Sequence, residues 1–360
     1  MLGAGVTWNI SNVGAVADPL ADAYDTSLPV VGLLTTALFV THLAIQLPAG
    51  IWSDRYGARA VALGACVAAM LGNTLLLESD SYELALVGRL IVGVGSGAGF
   101  VAGLDLVRAG GGGTVLQGVF GGATMAGGGL ALMVLPALTD ATSWRAPYWT
   151  ALALALVASM PVYAAGGLEP VGRATRGVLR DVRLLPLGLL QAATFGLVVI
   201  AGNWVVTLLE REGASSAAAG LLGGLVLFAG IVTRPLGGAL AGRARTRRRE
   251  LIGGSLLAAA AGALLLAANG PLWVSGIGAL ALGLAAGLPF AAIFQATQRM
   301  RPDAPGAAVA LVNGCAVLAI LVGTPLAGLA FDLPGDGGVA FAAIAVLCVA
   351  ALPLLRSFPE

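Results

Sequence analysis

The chain has 360 residues, 58% of them hydrophobic and only 10% charged, with 54 glycines and a formal net charge of +1; its mean hydropathy is +0.93. So little charge cannot cover the surface of a water-soluble protein of this length, which excludes a soluble globular enzyme. The net charge itself points to no partner, and no nucleic-acid partner is expected.

Apolar runs long enough to cross about 30 Å of hydrocarbon at 1.5 Å per residue recur along the whole chain. They fall at 3–20, 29–51, 60–77, 84–107, 115–138, 145–165, 186–209, 217–240, 251–268, 272–296, 306–331 and 338–355. Barrel strands would be about half as long and would alternate in polarity. The predicted fold class is therefore an all-α membrane protein with twelve transmembrane helices.

The first span follows the N-terminus without a basic region, so no cleavable signal peptide is read there. It carries Trp8 and, three residues apart, Asn9 and Asn12. Span 2 carries His42 and Gln46, four apart and hence on one helix face. It runs into GIWSDRYGAR at 50–59, which brings Gly50, Asp54, Arg55, Gly57 and Arg59 to one end. A carboxylate at Asp54 facing the N-terminal end of a neighbouring helix would be stabilised by the helix dipole. Span 4 opens with Arg89 in RLIVGVGSGAGF. An ionisable group inside a span marks either a solute path or a structural pair. Arg89 either lines a cavity or pairs, by snorkelling outward or meeting Glu78 or Glu83. The glycines after it form a close-packing face rather than a nucleotide loop. Asp105, near the end of the same span, is a partner for Arg55 or Arg59, or for Arg108 at i+3.

Span 5 is glycine-dense, GVFGGATMAGGG. A polar, basic stretch at 166–185 then divides the chain into an N-terminal six-helix bundle, 1–165, and a C-terminal one, 186–360. Span 7 holds Gln191, Asn203 and Trp204, span 8 the pair Arg234-Pro235, span 10 Gln295 and span 11 Asn313. Arg234 lies too deep to snorkel. It either meets a solute anion or serves carbonyls freed by Pro235. Cys66, Cys315 and Cys348 are read as small apolar residues; no metal site and no cofactor is expected.

The loops alternate in charge. One side collects Arg55, Arg59, Arg108, Arg173, Arg176, Arg180, Arg183 and the arginines at 243–249, and the other collects most of the acids, among them Asp336. The positive-inside rule makes the arginine-rich side cytoplasmic, with both termini there. Sliding the second half back by 188 residues lays RPLGGALAGRARTR (234–247) on QLPAGIWSDRYGAR (46–59). Gly238 then meets Gly50, Arg234 meets Gln46, and Gly242 stands where the first copy has Asp54. Two halves of equal topology are parallel repeats, with a solute site between them near the midplane.

GIWSDRYGAR resembles the loop 2–3 signature of the major facilitator superfamily, and Arg89-x-x-x-Gly93-x-Gly95-x-Gly97 resembles its span 4 signature. Twelve spans, a basic central linker and the repeat extend the likeness over the chain. Span 5 and RPLGG look like the nitrate/nitrite and cyanate-porter-like branches, although the matching span 2 arginine of nitrate porters is Gln46 here. The resemblance implies a monomeric secondary transporter in the cytoplasmic membrane that works by alternating access. Gly50, Asp54, Arg55, Gly57, Arg59 and Asp105 would form a conformational latch. Spans 1, 4, 7 and 10 line the cavity in that superfamily, so Asn9, Asn12, Gln191, Asn203 and Gln295 join Arg234, Gln46, His42, Arg89 and Asn313 as candidates for contact with solute. The expected partner is a small solute, first a small anion, with a coupling proton or ion. A proton-coupled exporter of amphipathic compounds and a non-transporting receptor of the same fold stay open.

Overall fold

The computed structural model describes the chain except residues 79, 166–176, 244–246, 269, 334, 336 and 360, and the side chains of 216, 217 and 227. Much of the linker expected at 166–185, with Arg173 and Arg176, lies outside the described residues, as do Arg245 and Asp336. Among the described residues the regular structure is helical: α1 Leu2–Ser11, α2 Ala17–Ala23, α3 Leu28–Tyr56, α4 Ala58–Glu78, α5 Tyr82–Ala109, α6 Thr114–Ala141, α7 Ala146–Ala164, α8 Leu185–Gln191, α9 Leu197–Arg211, α10 Ser216–Arg243, α11 Arg248–Ala267, α12 Leu272–Gly287, α13 Phe290–Met300, α14 Pro305–Leu329 and α15 Gly338–Ala350.

Eleven helical segments among the described residues are long and apolar enough to cross a membrane. The twelfth expected span, 3–20, is not one continuous helix. It breaks into α1, a 3-10 turn at Gly14–Val16 and α2. Pro19 lies in the first turn of α2; its ring lacks an N–H and clashes with the carbonyl four residues back, which stops a helix from running through Ala15. Pro289 separates α12 from α13 in the same way. Span 7 is interrupted differently, by a π-helical segment at Ala192–Gly196 between α8 and α9.

The chain forms two compact units. Unit 1 comprises Met1–Gly111, Ala123–Val178 and Pro302–Ala310; unit 2 comprises Gly112–Gly122, Leu179–Arg301 and Leu311–Glu360. These units depart from the chain-order halves in two places. The start of α6 belongs to unit 2, and the start of α14 belongs to unit 1.

In unit 1, α5 is the most enclosed element, with 72% of its apolar window buried. Its glycines explain how. A Cβ at Gly93 or Gly97 would run into the α3 backbone at Leu38 and His42, and one at Gly95 would lie 2.7 Å from the Ala65 carbonyl of α4. Bare backbone on two faces lets α3 and α4 approach closely, which is the packing mode available where lipid gives no hydrophobic drive. An aromatic cluster of Tyr24, Tyr82, Trp144 and Tyr148 closes one end of the unit. In unit 2, Phe290 and Phe294 meet edge to face at 4.9 Å, and Gly283 and Gly287 of α12 fit against α10.

Candidate functional site

Arg89 is fully buried in unit 1, and its fork is spent on protein oxygens. Its Nε donates to the Leu34 carbonyl at 3.2 Å, Nη1 to Asn12 Oδ1 at 3.1 Å and Nη2 to the Asn9 carbonyl at 2.8 Å. Asn12 in turn donates to the Pro147 carbonyl, and Asn9 Oδ1 accepts from Asn73 Nδ2 at 2.9 Å. The structure thus brings Asn9, Asn12 and Arg89 together as one network. Its three bonds go to the Leu34 carbonyl of α3, the Asn9 carbonyl of α1 and the side chain of Asn12 just past α1, not to Glu78 or Glu83. Asn73 was missed: a lone asparagine in an apolar span shows no partner until α1 is packed beside it.

His42 sits against Ser96 of α5, with Nδ1 2.8 Å from Oγ. Ser96 Oγ also lies 3.1 Å from the Gly93 carbonyl, one turn back on α5. Gln46, one turn on, is buried.

At the end of α3 the chain turns at Gly57 with φ +89°, a region that side-chain-bearing residues rarely adopt. Just before it, Gly50 and Asp54 meet the start of α14. A Cβ at Gly50 would lie 2.5 Å from the Gly306 carbonyl oxygen. Asp54, fully buried, accepts from the Gly306 N–H at 2.8 Å and the Ala307 N–H at 2.9 Å. That carboxylate therefore caps a helix N-terminus, satisfying two of its orphan donors and meeting the positive end of its dipole. Asp105 accepts from Ser53 Oγ at 2.5 Å and pairs with Arg108 at 2.6 Å. Of the anticipated partners it takes Arg108, not Arg55 or Arg59. Arg59 instead donates to the Tyr163 carbonyl and lies over that ring, and Arg55 lies over Tyr56.

Unit 2 holds the other buried guanidinium. Arg234, 1% exposed, lies over two aromatic rings, with its Cζ 4.3 Å from the Phe290 centroid and 5.0 Å from that of Phe195. Nη1 donates to the Gly121 carbonyl at 2.9 Å. Four elements build this box: α10 carries the arginine, the π-helical segment Phe195, α13 Phe290, and α6 Gly121. The carbonyl in that bond belongs to Gly121 on another helix and is not one freed by Pro235 in α10. Gln191 closes α8 directly before the π-helical segment, 1% exposed, and among the described residues neither its amide oxygen nor its amide nitrogen has a hydrogen-bond partner.

The remaining candidates disperse. Gln295 accepts from Arg248 at 2.8 Å. Asn203 is exposed and donates to Thr324 Oγ1. Asn313 is buried in α14. Trp8 and Trp204 donate to Thr150 Oγ1 and the Thr324 carbonyl. Phe195 and Phe290 had no signal in the sequence, because an aromatic in an apolar span looks like core until a cation is seen against it.

Known proteins give this architecture a name. The crystal structure of the human organic anion transporter MFSD10 (TETRAN) superposes with a TM-score of 0.78 at 18% identity, over 98% of this chain and 97% of that one. The transporter FucP in its outward conformation matches with a TM-score of 0.77 at 16% identity, over 100% and 98%. The proton:xylose symporter XylE bound to 6-bromo-6-deoxy-D-glucose matches with 0.77 at 13% identity, over 100% and 94%. At such identities the likeness is one of fold. A probable metabolite transport protein of Saccharomyces cerevisiae is 36% identical over 70 residues, 19% of this chain and 14% of that relative's length. The family model of the Major Facilitator Superfamily matches residues 1–324. The chain is a multi-pass membrane protein and belongs to the major facilitator superfamily.

Proposed function

We propose that the chain is a secondary active transporter that moves a small anion across the cytoplasmic membrane by alternating access. The observation carrying the anion is the Arg234 box. Two rings stabilise the buried cation, and a guanidinium presents a planar fork of N–H donors that suits a planar oxyanion. Arg234 is the anchor in this reading, and Arg89 is a structural pair held by Asn9 and Asn12. A solved structure of similar fold is described as an organic anion transporter, and others as proton symporters, which supports a coupling proton. The working halves are the bundles 1–165 and 186–360, joined by a cytoplasmic linker at 166–185, with both termini cytoplasmic and a monomer as the unit. Gly50, Asp54 and Gly57 form the latch, with Asp54 gripping the α14 start in one state and releasing it in the other.

The test is counterflow in proteoliposomes loaded with a panel of small carboxylates, inorganic anions and neutral sugars. Exchange restricted to anions supports the reading; exchange restricted to neutral sugars removes it.

A further inference from the structure

A buried amide that bonds to nothing is a costly object. Leaving a buried donor or acceptor unmade costs about 1–3 kcal/mol each, and Gln191 leaves one of each. Nor does the side chain sit in an ordinary stretch of helix. The Leu197 N–H reaches back five residues to the Ala192 carbonyl, a π-helical insertion of the kind that recurs at functional sites. Phe195, inside that insertion, is the ring under the Arg234 guanidinium. Gln191 precedes Phe195 by four residues in the same helical run, and all of these residues belong to unit 2.

We infer that the solute held at Arg234 is a hydroxylated small acid, whose carboxylate meets the guanidinium and whose hydroxyl group is read by Gln191. The inference rests on the anion reading above. Its added content comes from donor and acceptor arithmetic. Nitrate, formate or acetate offers only acceptors; beside Gln191 it would satisfy Nε2 and leave Oε1 buried without a donor. A hydroxyl both donates and accepts, so it satisfies both ends of the amide at once. A site with buried polar groups set to bond a hydroxyl rejects the analogue that lacks it, because those groups are then left unpaired.

The experiment compares matched acids on the purified full-length protein: lactate against propionate and glycolate against acetate, by thermal shift and by counterflow. For wild type, half-saturation is expected at about tenfold lower concentration for each hydroxy acid, equivalent to about 1.4 kcal/mol. In Gln191→Leu, which replaces the amide by an apolar group of similar size, the preference for the hydroxy acid should vanish. Equal half-saturation for lactate and propionate in wild type overturns the inference and leaves the anion reading standing. So does a preference that survives in Gln191→Leu. If none of the four acids shifts the melting temperature or exchanges, the inference fails, and the anion reading fails with it when the inorganic anions of the counterflow panel do not exchange either. Should Gln191→Leu not fold, the wild-type pairs decide alone.

Discussion

The two units solve one problem, a buried arginine, in different ways. In unit 1 Arg89 is bonded at all three nitrogens to oxygens of α3, α1 and Asn12 at the end of α1. In unit 2 Arg234 lies against the rings of Phe195 and Phe290, and its Nη1 donates to the Gly121 carbonyl. The first arrangement holds a charge with amide and carbonyl oxygens; the second adds two aromatic rings to the carbonyl. A similar contrast runs through the repeated glycine motif. Gly50 packs on the α14 start at Gly306, and Gly238 packs on the α6 start at Thr114. Only the first copy adds a carboxylate to the helix start. At the corresponding place Gly242 stands next to the Thr114 hydroxyl, and a neutral pair, Gln117 Nε2 to Gln298 Oε1 at 2.5 Å, lies nearby in unit 2. The backbone approach is shared, and charge was kept in one copy.

The largest expected effect separates the two arginines. Arg89→Leu leaves three oxygens without their donor and should destabilise the protein by about 3 kcal/mol or more, read as a large fall in melting temperature. Arg234→Lys should keep the melting temperature within a few degrees and abolish anion counterflow, because an ammonium cannot reproduce the planar fork. Equal thermal losses with equal residual transport in the two variants would erase the distinction.

Next come the glycines. Gly50→Ala and Gly238→Ala each drive a Cβ into backbone, and both should sharply reduce folded yield in detergent. Gly242→Ala meets only the Thr114 Oγ1 at 2.8 Å, the end of a side chain that can turn away, and should cost less than about 1 kcal/mol. A Gly242→Ala loss as large as that of Gly238→Ala would show that the second copy is as tightly constrained at 242 as at 238.

Asp54→Asn should be intermediate. The amide keeps one acceptor but loses the charge facing the α14 dipole, a change of about 1–2 kcal/mol in the grip on that helix start. Transport should fall about tenfold, and cysteine labelling from the cytoplasmic side should rise as the released state gains population. Unchanged flux together with unchanged labelling would remove the latch.

The smallest effect concerns a charge outside the spans. Hydrogen bonding from Arg183 holds the Asp181 carboxyl at about 2, below its usual 3.8, and Arg301 lies 3.5 Å from it. A depressed folded value means stabilisation that is present above 3.8 and lost as pH falls toward 2. The difference in melting temperature between wild type and Asp181→Asn should therefore shrink between pH 4 and pH 2 and stay constant above pH 5.

What the sequence determined is what depends on neighbours along the chain. Span length and apolarity set eleven of the twelve segments, because hydrocarbon thickness acts on each segment separately. The spacing of Gly50, Asp54 and Gly57 marked the family motif, and Asp54 could be expected to face a helix N-terminus because a buried carboxylate needs such a partner. Tertiary structure decided whatever depends on which helices touch. The partners of Arg89 come from α1 and α3, and the helix start that Asp54 caps lies more than 250 residues away in sequence. Asp105 had three arginines within reach on paper, and only packing singled out Arg108. The starts of α6 and α14 changed units because bare glycine backbone at 50 and 238 lets a helix end approach there, and no local pattern states which end will come. The Arg234 box draws on residues 121, 195, 234 and 290, four elements whose side chains acquire a common meaning only when the fold brings an aromatic face to a cation.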